Sequence, residues 1–167
     1  MYYDVYCEHF VKRKANAFNK ILYYAGFVFS VLLGILAALI SIGTFAVPFI
    51  LFVIVTYYEY IQIYTEFDYG YTNGVFEIDK VTGKKRRKAL ISVDMKDVVV
   101  IARSKSDPVS QYVGRYMKTY DCTSHEDVPY YCMIVRRNGI EEKVLFEPTE
   151  EMLQEMKRMN SSIVHIG

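Results

Sequence analysis

The sequence contains one long stretch without a charged side chain, from Ile21 to Tyr58. A single helix through these 38 positions would be about 57 Å long, whereas the hydrocarbon core of a bilayer is roughly 30 Å thick. One straight helix is therefore too long for a single crossing, and two helices joined by a tight turn fit. The stretch predicts a transmembrane helical hairpin, with spans over about residues 21–42 and 45–64 and a turn near Gly43.

Two other interpretations of the apolar stretch are possible. Basic residues precede the first span, as in a cleaved signal peptide, but its apolar run exceeds the usual length and a second apolar segment follows at once. A pair of core helices in a soluble protein is the other alternative, and core helices rarely reach such lengths without a charge. We expect Pro48 in the first turn of the second helix, where its missing N–H does little harm.

The basic residues on either side of the hairpin predict its orientation. Four precede the first span (Lys12, Arg13, Lys14 and Lys20), and Lys80 and the cluster 84–88 follow the second, while the connecting turn has none. Positively charged flanks stay in the cytoplasm. We therefore expect a multi-pass plasma-membrane protein with both termini cytoplasmic, residues 1–20 forming a cytoplasmic segment, and Ser41 outside. Tyrosines at the cytoplasmic ends of both spans would form an aromatic belt: Tyr23, Tyr24, Tyr57, Tyr58, Tyr60 and Tyr64.

Residues 67–167 have the pattern of a small β-rich domain. Asn73-Gly74 and Asn138-Gly139 each separate two alternating segments, which predicts two hairpins with type I′ turns. Phe76 and Ile78 alternate with polar residues and are expected in the core. A long loop should cover about residues 104–128, with one short strand near Tyr116.

A C-terminal helix is expected over about residues 149–160, with Thr149 as its N-cap. Its apolar residues recur at helical spacing and should pack on the sheet: Met152, Leu153, Met156 and Met159. The whole chain is therefore predicted to be an α+β protein, in which a transmembrane hairpin precedes a small antiparallel β-sheet or barrel capped by one helix.

Two segments of this region resemble bacterial pleckstrin-homology-like domains that follow transmembrane hairpins. "YTNGVFEIDKVTGKKRRKALISVD" is similar to their strand–turn–strand pattern with a basic turn, and "LFEPTEEMLQEMKRM" to their closing strand and capping helix. The resemblance covers roughly the last hundred residues of the chain. It implies the fold of the domain and implies no enzymatic activity.

The sequence contains no convincing catalytic or cofactor motif. Cys122, His125 and Cys132 do not have the spacing of a standard zinc site, and Cys7 and His9 lie far away in sequence. Three scattered cysteines are too few for a disulfide framework, and we expect reduced thiols. Glycine-rich segments lack the spacing and context of a phosphate-binding loop. We therefore expect that the protein is not an enzyme and that it binds no metal and no cofactor.

Five consecutive basic residues form the most distinctive polar feature: Lys84, Lys85, Arg86, Arg87 and Lys88. Nucleic-acid binding is disfavoured, because residues 67–167 hold sixteen basic and fifteen acidic residues and are almost neutral. The cluster is either a solvated turn that sets topology, or a contact with anionic lipid head groups, which a turn so close to a span can reach. Strand alternation sends Arg87 and Lys88 to opposite faces, so about three of the five can face the membrane together.

These features predict a membrane-anchored cytoplasmic binding or scaffolding domain whose partners are the bilayer and anionic phospholipid head groups. The alternative is an accessory or regulatory subunit of a larger membrane complex, in which the domain docks a membrane protein partner.

The predicted orientation can be tested by cysteine labelling. In Ser41→Cys, a membrane-impermeant maleimide should label the new thiol in intact cells, because the uncharged turn is expected outside. The parent protein, treated in parallel, reports labelling of the native cysteines. Labelling of Ser41→Cys only after lysis would contradict the orientation.

Overall fold

A computed structural model describes residues 6–112, 114 and 118–166. The chain divides into two compact units. The helical unit contains residues 14–65 together with the turn Thr82–Arg86. The β unit contains the strand that precedes the helices, the segment Glu66–Val81 and the chain from Arg87 onward. Each unit is thus built from segments that are far apart in sequence.

The helical unit consists of two antiparallel helices, α1 (Ala17–Leu39) and α2 (Ile42–Ile63). Both are long and apolar enough to cross a membrane by length and composition. Asn16 caps α1, and its side chain accepts a hydrogen bond from the Phe18 N–H at 3.3 Å. The sequence therefore provides a polar start signal for α1 five residues before the predicted span, because a helix can extend beyond the segment that is free of charge.

The connection between the helices differs from the predicted one. It lies at Ile40 and Ser41, and Gly43 already belongs to α2. Pro48 is consequently inside α2 and not in its first turn, which corrects the expectation above. An interior proline removes one backbone hydrogen bond, a loss that membrane-spanning helices tolerate because neighbouring groups satisfy the freed carbonyl.

The β unit contains nine strands among the described residues, although β2 and β4 begin at the boundary with the helical unit. In chain order they are β1 Tyr6–Lys12, β2 Thr65–Thr72, β3 Val75–Thr82, β4 Arg86–Asp94, β5 Val98–Arg103, β6 Lys118–Asp121, β7 Tyr131–Arg137, β8 Ile140–Phe146 and β9 Val164–His165. They form a four-stranded sheet, ordered β1-β2-β3-β4, and a five-stranded sheet, ordered β6-β8-β7-β5-β9. The α+β class is confirmed, and over the described residues the strands make two sheets and no closed barrel.

β1 was not predicted. It lies within residues 1–20, which the sequence indicated only as a cytoplasmic segment, and it pairs antiparallel with β2 from Tyr6↔Thr72 to Lys12↔Glu66. Cys7 and Val11 point into the core, whereas Tyr6 and Phe10 are exposed. One strand of this sheet therefore precedes α1 in the chain, and the other three strands follow α2.

Both predicted Asn-Gly turns are confirmed. Asn73 and Gly74 have φ of 48° and 90°, and Asn138 and Gly139 have φ of 50° and 79°. Two successive positive φ values are the requirement of a type I′ turn, which asparagine and glycine meet at little cost.

The core of the β unit joins both sheets to one helix, α4 (Glu150–Met159). Thr149 caps α4, as predicted, by accepting a hydrogen bond from the Met152 N–H at 3.2 Å. Met152, Leu153 and Met156 are buried, but Met159 is 59% exposed. Phe76 and Ile78 are fully buried, as their alternation predicted.

The segment predicted as a long loop contains more structure than expected. A single helical turn, α3 (Asp107–Ser110), follows β5, and β6 pairs parallel with β8. The short strand predicted near Tyr116 falls outside the described residues, and β6 begins at Lys118. A parallel partner that follows more than twenty residues later leaves no local hairpin signal, which explains why β6 was not predicted.

Candidate functional site

The basic turn between β3 and β4 is attached to the last turn of α2. The Gly83 N–H donates a hydrogen bond to the Tyr64 carbonyl oxygen at 2.9 Å, and Tyr64 is the residue that ends α2. Gly83 and Lys84 have φ of 57° and 63°, in the left-handed region that a tight turn uses. The Lys84 ammonium lies 4.4 Å from the centre of the Tyr64 ring, a cation–π contact. The turn is thereby fixed to the end of the helix at two points.

Lys85 and Arg86 line a cleft of about 250 Å³ between this turn and α2. Its other walls come from the turn and the last two turns of the helix: Tyr57, Tyr60, Ile61, Thr82 and Gly83. Among the described residues neither Lys85 nor Arg86 forms an ion pair, and both are exposed. The cleft therefore combines two unneutralised cations with phenol rings, an arrangement suited to an anion.

Arg87, the next residue, has a different role. It belongs to the β unit, where its guanidinium is hydrogen-bonded to Asp68 and lies 3.7 Å from the Asp79 carboxylate. Asp68 is only 6% exposed. The positive charge of Arg87 is thus used to compensate a buried carboxylate. Lys88 is exposed, does not line this cleft and forms no ion pair in the described part of the chain.

The structure separates the five predicted site residues into groups. Lys84, Lys85 and Arg86 are brought together at the end of α2, whereas Arg87 and Lys88 belong to the β unit. Strand alternation predicted that about three of the five can face the membrane together, which stays a prediction. Sequence reasoning missed the cleft and the ion pairs: Tyr57 and Tyr60 were assigned only to an interfacial belt, and the partners of Arg87 were not identified, since Asp68 lies two strands earlier, on β2.

Two further cavities have other properties. One, of about 390 Å³, lies between α1 and α2 and is almost entirely apolar; Phe27, Gly34 and Phe49 are among its walls. The other, of about 410 Å³, lies beside α4 in the β unit, and its lining includes one cation, Arg103, and one anion, Glu150. Neither has the excess positive charge of the cleft at the basic turn.

The three cysteine residues are free thiols buried in the β unit. Burial raises the pKa of the Cys122 thiol to about 12 and that of Cys132 to about 11, and it also raises the pKa of Cys7. Such thiols stay protonated at neutral pH, whereas the thiolate is the reactive and metal-binding form. Cys122 lies in the larger core cluster and Cys132 in the smaller one, and the described residues contain no group of three or more metal-ligating side chains.

Arg13, one of the four basic residues before the predicted first span, is held by the β unit. Its guanidinium donates to the Asp121 carbonyl oxygen at 2.5 Å and stacks 4.8 Å from the Phe67 ring. Burial alone would raise the pKa of the Asp121 carboxyl, but hydrogen bonds from His125 and Thr123 and the charge of Arg13 hold it below its usual value. His125, considered above as a metal ligand, is engaged here with Asp121 at 2.9 Å.

The division of the basic cluster predicts different effects on stability. Arg87→Gln should lower the free energy of unfolding of the β unit by about 1–3 kcal/mol, because it leaves the buried Asp68 carboxylate short of a counter-charge. Lys88→Gln, the matched control, should change it by less than about 0.5 kcal/mol. Urea unfolding of the full-length protein in mild detergent measures both. Equal stability of the two variants would show that the Arg87 pair contributes nothing.

Comparisons with known proteins place the whole chain in one family. No curated protein and no solved structure matches it. Residues 3–166 match the family described as Bacterial PH-like domain (DUF6106), a range that includes β1, both apolar helices and β9. The hairpin is thus part of the family pattern, inserted after the first strand of the domain. With nearly its full length matched, the chain belongs to this family of bacterial PH-like domains.

Proposed function

We propose that this protein is a membrane-anchored binding module, in which α1 and α2 span the plasma membrane and the basic turn contacts anionic lipid head groups on the cytoplasmic side. The observation that carries the proposal is the attachment of Gly83 to the end of α2, which keeps Lys84, Lys85 and Arg86 beside the helix terminus. In a spanning helix that terminus lies at the level of the head groups. Both termini are cytoplasmic in this arrangement.

The apolar surface of the helices supports their placement in a bilayer. Large apolar side chains on both helices face outward, including Phe29, Leu32, Ile50 and Leu51. Contiguous exposed apolar surface of this kind is rare on soluble monomers and marks an interaction with membrane or protein. Tyr57 and Tyr58, each more than half exposed near the end of α2, suit the membrane–water interface, where amphipathic rings accumulate.

The expected strength of the lipid contact follows from the number of available cations. Each basic residue near an anionic leaflet contributes about 1 kcal/mol, so the three cations of the turn contribute roughly 3 kcal/mol. Arg87 adds little, because it is already paired with carboxylates. This attraction is modest beside the insertion of two apolar helices, so the turn orients the module at the surface while the hairpin anchors it.

A role as an accessory subunit that docks a protein is the second candidate. It is favoured by β1, which is an edge strand of its sheet and exposes two aromatic side chains, Tyr6 and Phe10. An edge strand presents unpaired backbone groups that can accept a further strand from a partner. Either role is one of binding, and we propose no catalytic activity, metal or cofactor.

Lysine acylation in nanodiscs tests the lipid contact. We expect Lys84 and Lys85 of the full-length protein to react several-fold more slowly with a neutral N-hydroxysuccinimide ester when phosphatidylglycerol is added to phosphatidylcholine. An anionic lipid surface stabilises the charged ammonium form of a lysine side chain and shields it from the reagent. The ester reacts only with the uncharged amine. Mass spectrometry of the modified peptides gives the rate at each lysine.

Lys96 serves as the internal control, because its side chain is 89% exposed and belongs to another turn. Its rate should change far less with lipid composition. Salt at about 1 M, where the Debye length is roughly 3 Å, should abolish the protection of Lys84 and Lys85. Equal effects of phosphatidylglycerol on all three lysines would contradict a specific contact of the turn.

A further inference from the structure

We infer that the cleft between the basic turn and α2 is a discrete site for the phosphate of one acidic phospholipid. This inference rests on the proposed function and goes beyond it: a diffuse attraction requires only charge near the leaflet, whereas a site requires defined walls. The cleft measures about 250 Å³, below the roughly 300–1,000 Å³ of pockets that enclose drug-sized ligands. It therefore suits a head group whose acyl chains remain in the bilayer.

The cations of the turn do not act alike. Lys84 is directed to the Tyr64 ring, 4.4 Å from its centre, and does not line the cleft. Lys85 and Arg86 do line it, and no carboxylate among the described residues neutralises them. A phosphate bound there would accept charge-assisted hydrogen bonds from an ammonium and a guanidinium, which are about twice as strong as bonds between neutral groups.

The uncharged walls complete the site. Gly83 lines the cleft without a side chain, and its φ of 57° is the left-handed conformation that favours glycine. The Tyr60 ring packs against Tyr23 and Tyr64 at centroid distances of 6.3 and 4.8 Å, which holds this wall in place. Tyr57, one turn earlier on α2, is 55% exposed and forms the wall nearer the apolar segment. Thr82 also lines the cleft, and its hydroxyl donates a hydrogen bond to the Arg86 carbonyl oxygen at 3.5 Å.

The location of the cleft determines the source of the phosphate. Tyr57, Tyr60 and Ile61 belong to α2 itself, so a ligand in the cleft contacts the end of a spanning helix. Lipid phosphates are concentrated at that depth, whereas free phosphate has to come from the cytoplasm. We therefore assign the cleft to a lipid phosphate, with phosphatidylglycerol as the probe.

Native mass spectrometry of the delipidated full-length protein tests this assignment. With added phosphatidylglycerol, one lipid should bind about tenfold more tightly than later ones and about tenfold more tightly than phosphatidylcholine. Lys85→Gln and Arg86→Gln should each weaken this first binding about tenfold, and Lys88→Gln should change it less than about twofold, although all three remove one charge.

A second pair of variants leaves the charge unchanged. Tyr57→Leu removes a wall of the cleft and should weaken the first lipid several-fold, while Tyr58→Leu, its exposed neighbour outside the cleft, should not. Neither change should alter the protection of Lys84 from acylation. That protection therefore tests the proposed surface contact separately from the site.

Three results would overturn the site. The first is a series of equivalent phosphatidylglycerol molecules with no tighter first one. The second is an equal loss of lipid binding in Lys85→Gln and Lys88→Gln. Either of these first two results leaves the proposed surface contact intact if lysine acylation still depends on anionic lipid. The third is displacement of the first lipid by inorganic phosphate at equal concentration, which would assign the cleft to free phosphate.

Discussion

The apolar surface of α1 and α2 is the constraint on which the arrangement of the chain depends. Between Ile21 and Tyr58 no side chain is charged, and most of the large ones face outward. Such a surface is stable only when lipid or protein covers it, because each exposed square ångström of apolar area costs about 25 cal/mol in water. The first charged residues on either side of the uncharged stretch therefore lie at the open end of the hairpin, where the start of α1 and the end of α2 are neighbours. In a bilayer these ends meet the head groups, and the basic turn is attached there by Gly83.

The cluster of five basic residues is divided by the boundary between the helical unit and the β unit, which falls between Arg86 and Arg87. Before it, the turn at Gly83 and Lys84 bends with positive φ and leaves Lys85 and Arg86 beside α2. After it, Arg87 is the second residue of β4 and compensates the buried Asp68. A run of like charges therefore divides into cations with different partners: Lys85 and Arg86 line the cleft without an ion pair among the described residues, and Arg87 is paired with carboxylates. Counting all five as one patch would overestimate its attraction for a membrane.

Features with local causes were predictable from the sequence. The Asn73-Gly74 and Asn138-Gly139 turns follow from the backbone freedom of these residues, and the cap at Thr149 from its side-chain oxygen. The α+β class and the hairpin followed from periodicity and length. β1 was missed because its partner, β2, follows only after the whole hairpin, and a single strand has no local signal of that pairing. Met159 shares the helical spacing of the buried residues but lies in the last turn of α4, where spacing alone does not decide burial.

The candidate site was predictable in its cations but not in its shape. Sequence alternation indicated that Arg87 and Lys88 diverge, yet only the structure provides Asp68 as the partner that neutralises Arg87. Likewise Tyr57 and Tyr60 were expected at an interface, and their role as cleft walls depends on the return of the chain to α2 more than twenty residues later. Contacts between distant segments, rather than composition, convert a basic run into a defined cleft.

The most direct measurement of the central claim is the dipolar coupling between arginine side chains and lipid phosphorus by solid-state NMR. The full-length protein, with ¹³C- and ¹⁵N-labelled arginine, would be reconstituted in bilayers that contain phosphatidylglycerol. A guanidinium paired with a phosphate has N···O distances of about 2.7–2.9 Å, so ³¹P should dephase an arginine signal strongly. The dephasing should disappear in Arg86→Gln and persist in Arg87→Gln. Dephasing that survives the loss of Arg86, or that is absent from the parent protein, would contradict the account.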